Sequence, residues 1–151
     1  MVVDDDGSGE VADIVAVRET ERELHILLMH CKYSSEPQPG ARVEDLYEVC
    51  GQASKSAAYR RDITAMLNAL ITRARNRQKK YGHSGIEAGT FERLVRLRDT
   101  ARTRKPQLTI AIAQPGMSKA KASRKQMELL ASAEVYVREI ANAAFEVYCH
   151  A

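Results

Sequence analysis

Three residues in the first third of the chain carry the chemistry that the sequence offers most openly. Asp13 interrupts the apolar run VADIVAV, and His30 and Lys32 close a second run, LHILLMHCK. Residues 11–17 are β-branched and nearly continuous in apolar side chains, which predicts a strand covered on both faces. A carboxylate in such a strand needs an ion pair, hydrogen bonds or a metal, because burying it alone is costly. Residues 18–23 are charged or polar and predict a hairpin turn, and residues 24–32 a second strand. Period-two alternation puts Ile26, Leu28, His30 and Lys32 on one face, and an antiparallel neighbour brings Asp13 beside the last two. A carboxylate with further oxygen or imidazole ligands holds Mg²⁺ or Mn²⁺. An ammonium next to that site orients or helps deprotonate water and stabilises developing phosphate charge. That set of groups suits hydrolysis of a phosphodiester.

The elements that must position these residues follow from pattern. Residues 33–42 contain two prolines and a glycine and form a loop. Residues 43–59 predict a helix, with Val43, Leu46, Cys50 and Ala57 at helical spacing and Glu44, Asp45 and Glu48 in its first turns. Asp62 caps a second helix with the stripe Ile63, Met66, Leu67, Leu70, Ile71 and Ala74. Thr90 caps a third over 91–103, which Pro106 stops. Residues 108–113 predict a buried strand closed by Gln114-Pro115-Gly116, Ser118 begins a long helix, and 145–149 make a final strand. At the other end, Val2-Val3 predicts a short edge strand and Asp4-Asp5-Asp6 a solvated loop. The order β-β-β-α-α-α-β-α-β predicts an α/β protein with a mixed central sheet flanked by helices.

A chain of 151 residues fits one domain. Its three cysteines, Cys31, Cys50 and Cys149, are far apart and odd in number, which argues against a disulfide or zinc framework. The acidic, glycine-rich start is no signal peptide, and no apolar run reaches the roughly 18 residues that span a bilayer. The expectation is a soluble, cytoplasmic protein that binds no membrane. The net charge of +3 is mild, but basic residues gather in stretches. Arg73, Arg77, Lys79 and Lys80, then residues 93–105, then Lys119 and Lys121 are placed to track a phosphate backbone. QPGMSK lacks the Gly-Lys-Ser/Thr ending of a P-loop, and no Ser-His-Asp arrangement or dinucleotide fingerprint is present.

Asp13, the hairpin, Lys32 and the helix carrying Gln52 resemble the PD-(D/E)xK nuclease superfamily, in which an Asp on one strand precedes (Asp/Glu)-x-Lys on the next. HCKYSSEPQPGARVEDLYEVCGQ is similar to the Mrr-like branch, and IAIAQPGMSK to nuclease domains of bacterial superfamily 2 helicases. The resemblance implies a restriction-endonuclease-like fold over residues 1–151, standing alone or as part of a longer helicase–nuclease chain. It implies a metal-dependent DNA endonuclease in defence against foreign DNA, with DNA and a helicase or other domain of the same system as partners, and it leaves a homodimer open. Asp13 then holds Mg²⁺ or Mn²⁺, the Cys31 backbone carbonyl adds a ligand, Lys32 positions water and Gln52 supports the site.

His30 departs from the pattern, which asks for an acid. Three outcomes are open: a site leaning to Mn²⁺ with His30 as ligand or acid/base, a ligand from Glu10 or Glu48, or lost activity. The competing reading is a catalytically degraded nuclease fold that serves as a DNA-binding or assembly module.

Overall fold

The computed structural model describes residues 1–34, 36 and 38–151. Two positions of the 33–42 loop, 35 and 37, lie outside the described residues. The strands are β1 (Val2–Asp4), β2 (Ile14–Glu19), β3 (Glu23–Cys31), β4 (Ile86–Ala88), β5 (Lys105–Ser118) and β6 (Ala144–His150). The helices are α1 (Glu44–Ser56), α2 (Ile63–Tyr81), α3 (Phe91–Thr100) and α4 (Arg124–Ala141), and 3₁₀ turns extend α1 through Arg61 and α3 through Thr103. The described residues therefore form a mixed α/β fold: six strands in one sheet, with four helices.

The sheet runs β4-β1-β2-β3-β5-β6, antiparallel from β4 through β3 and parallel from β3 through β6. Alternation on β3 follows the expected parity. Leu24, Ile26, Leu28 and His30 are buried, while His25, Leu27 and Met29 between them are only half-buried. The buried set joins Val15, Val17, Leu108, Ile110 and Ile112 in one core with residues from all four helices.

Topology explains why the core lies on a single face. The crossovers from β3 to β5 and from β5 to β6 advance across the sheet in the same direction. Right-handed crossovers, the near-universal hand, then place both connections on the same side. The opposite face carries Ile14 at 37% exposure, half-buried Leu27 and Met29, and exposed Glu146 and Tyr148. The expectation that residues 11–17 form a strand covered on both faces is corrected: the strand begins at Ile14 and is covered on one face. Val11 and Ala12 are buried in the loop before it.

Other boundaries move for physical reasons. β1 is interior, because the three-residue β4, which the sequence pattern missed, takes the edge beside it. The acidic turn is not simply solvated: Asp5 is 1% exposed and pairs with Arg73 at 2.6 Å. β5 continues past Gln114-Pro115-Gly116 to Ser118, its pairing with β6 skipping from Gln114 to Ser118. Such an irregularity is where a strand tolerates proline. α4 starts at Arg124 rather than near Ser118, because Ser123 and Gln126 form a reciprocal capping box. The caps at Asp62 and Thr90 match expectation. Among the described residues no helix is long and apolar enough to cross a membrane.

Candidate metal site

The site forms where β2 begins and β3 ends. Asp13 stands one residue before β2 and keeps the inward parity of Val15 and Val17. Its backbone carbonyl accepts from the Asp5 amide at 2.9 Å, and its Oδ2 accepts from the Cys31 amide at 2.7 Å. Cys31, expected to contribute its carbonyl, thus orients the carboxylate through its N–H. Burial pushes the Asp13 carboxyl above its usual range, against the pull of that amide.

Glu10 arrives through a turn that needs glycine. Gly7 and Gly9 hold φ of 125° and 76°, a region unfavourable for residues with a Cβ. The turn folds back so that the Gly7 amide donates to Glu10 Oε2 at 2.8 Å. Burial, with Asp13 nearby, raises the Glu10 pKa. Arg73 fixes the whole turn. Its guanidinium donates to Asp5 Oδ1 at 2.6 Å and to the carbonyls of Asp5 and Ser8 at 2.8 and 2.7 Å. Arg77 donates to the Asp4 carbonyl and lies 3.6 Å from its carboxylate. Two arginines expected at a nucleic-acid surface are therefore engaged in shaping the site loop.

His30 is 2% exposed, and burial pushes its pKa down to about 4, so the ring is neutral at pH 7. Its tautomer follows from one hydroxyl. Ser56 Oγ lies 3.2 Å from the Val11 carbonyl, which can only accept, so the hydroxyl donates there. The same oxygen lies 2.7 Å from His30 Nε2 and must accept from it. Nε2 carries the proton, and Nδ1 keeps a lone pair. Nδ1 is buried, has no hydrogen-bond partner, and lies 3.9 Å from Asp13 Oδ2.

One ligand atom each from Glu10, Asp13 and His30 lie within 4.8 Å of one another. Gln52 Nε2 makes a long contact to Glu10 Oε1 at 3.5 Å, leaving Gln52 Oε1 buried and unpartnered. Every uncommitted group in this cluster is thus an acceptor: two carboxylates, an imidazole lone pair and an amide oxygen. The donor chemistry of this set fits a divalent cation, the nitrogen ligand favouring Mn²⁺ over Mg²⁺. Of the two acids left open as substitutes, Glu10 enters the cluster.

Glu48 instead pairs with Lys32 at 2.6 Å, and it holds the Lys32 ammonium above its ordinary pKa. Lys32 lies just past the end of β3, and its pairing aims it toward Glu48 rather than Asp13 and His30. A cleft of about 350 Å³ opens beside the cluster, lined by Gly7, Glu10, His30, Gln52, Lys55 and Ser56 among others. Lys55 and Ser56 were not singled out from the sequence. The signal was available, since a helix that points Gln52 at the site also points the residues three and four further on.

Lys79, Lys80, Lys119 and Lys121 are exposed. Lys119 follows the end of β5, at the same end of the sheet as His30 on the parallel strand β3. Comparison with known proteins finds no match among family models, curated proteins or solved structures.

Proposed function

We propose that this chain is a metal-dependent DNA endonuclease of the restriction-endonuclease-like fold, hydrolysing phosphodiester bonds. One observation carries the reading: Glu10, Asp13 and His30 converge as acceptors only, with a tautomer-locked lone pair buried and unpartnered. These three residues would hold a divalent cation. A cation bound there supplies Lewis-acid polarisation and a more acidic water. The protein's own part is orientation. The Cys31 amide fixes Asp13, the Gly7 amide fixes Glu10, and Ser56 fixes the His30 ring. Lys32, held charged by Glu48, is no base at neutral pH. The exposed Lys79, Lys80, Lys119 and Lys121 support contact with a phosphate backbone.

The purified protein is incubated with plasmid and linear DNA in Mg²⁺, Mn²⁺ or EDTA, alongside Asp13→Ala. The expected result is cleavage faster in Mn²⁺ than in Mg²⁺, abolished by EDTA, and at least ~100-fold slower in the variant. Salt-dependent DNA binding without cleavage would replace the endonuclease by a non-catalytic binding module. Absence of both would leave an assembly domain.

A further inference from the structure

Helix α1 and the 3₁₀ turn that continues it present one polar stripe to the cleft: Gln52, Lys55, Ser56 and Tyr59, at spacings of three, four and seven residues. Gln52 and Ser56 are already committed to Glu10 and His30. Lys55 is exposed and, among the described residues, its ammonium has no carboxylate or hydrogen-bond partner. It is the one lysine or arginine among the residues lining the cleft.

The charge arithmetic makes that position useful. Two carboxylates repel an incoming phosphodiester, and a divalent cation bound between them leaves no surplus positive charge. A lysine in the cleft lining supplies it as a mobile point charge suited to phosphate oxygens. Lys32 has the same chemistry, but it does not line the cleft and reaches Glu48. An exposed pair of that kind opens readily, so position and not pairing separates the two lysines. We infer that Lys55, rather than Lys32, is the phosphate-binding cation of this site, recognising a non-bridging oxygen of a phosphodiester. The inference rests on the metal-dependent phosphodiesterase reading.

Two titrations keep the inference and its premise apart. Calorimetry with Mn²⁺ tests the metal site. Dimethyl phosphate, an inert single phosphodiester, is then titrated into the Mn²⁺-loaded protein and followed by ³¹P line broadening. The proteins are wild type, Lys55→Ala, Lys55→Arg and Lys32→Ala. Lys55→Ala should keep its Mn²⁺ affinity within about twofold and lose about tenfold or more in dimethyl phosphate affinity, with Lys55→Arg restoring part of it. Lys32→Ala should bind dimethyl phosphate like wild type. Equal affinity in wild type and Lys55→Ala, a loss confined to Lys32→Ala, or no binding by wild type would each overturn the assignment. If Mn²⁺ does not bind, the metal reading falls. The Lys55 assignment falls with it, whereas Mn²⁺ binding without a Lys55-dependent phosphate affinity overturns the assignment alone.

Discussion

His30 connects the site to the stability of the protein. Its folded pKa of about 4 lies below the roughly 6.5 of an unfolded chain. Between those values the unfolded chain binds the extra proton, so stability is complete above pH 6.5 and is lost as the pH falls toward 4. The loss attributable to this ring is about 3 kcal/mol. Glu10 and Asp13 run the other way, because their raised pKa values mean that acid relieves a buried charge and offsets part of the loss at its acid end. Urea unfolding at pH 7 and pH 4.5 should show the drop in wild type and a much smaller one in His30→Gln. Parallel pH profiles in the two proteins would mean that the ring does not couple protonation to folding. Strand parity put His30 on one face with Ile26 and Leu28, so this much was legible in the sequence, while its burial is read from the structure. The hydroxyl that fixes its tautomer lies 26 residues away on α1, and nothing local to His30 announces it.

At the scale of elements, legibility depended on whether the signal was local. Asp62 and Thr90 cap helices because the cap and the amide it accepts from are three residues apart. Ser118 and Ser123 both precede the apolar stripe of α4, but only Ser123 has a Gln three residues on to return the hydrogen bond. Ser118 Oγ is occupied elsewhere, donating to the Ala151 carbonyl at 3.0 Å. Ser123→Ala should therefore cost about 1 kcal/mol by urea unfolding, and Ser118→Ala should leave the amide-exchange protection of the first turn of α4 unchanged. The reverse ranking would put the helix start back at Ser118. Long-range pairing was not legible at all. Arg73 looks like one more base in a basic helix turn, and only the fold reveals Asp5, 68 residues earlier, as its partner.

The whole molecule is a two-layer structure in which adjacent residues of one strand meet different environments. Leu28 is fully buried beneath the helices, while its neighbour Leu27 faces the uncovered side. Leu28→Ala should cost about 2–5 kcal/mol, and Leu27→Ala no more than about 1.5 kcal/mol. Similar losses at both positions would show that something covers the second face in solution. The order of elements was readable from pattern except for β4, but neighbour relations were not: periodicity does not say that β3 bonds to β5. That pairing has a consequence in time. β3 occupies the middle of the finished sheet, yet its parallel partner follows it by roughly 70 residues. At synthesis rates of about 5–20 residues per second, the nascent chain carries one side of β3 as a bare, apolar edge for on the order of 4–14 seconds. During that interval residues 1–61 have emerged, and with them every side chain of the acceptor cluster. The strand that bears His30 still lacks half of its backbone partners. Site assembly is therefore tied to the late arrival of β5.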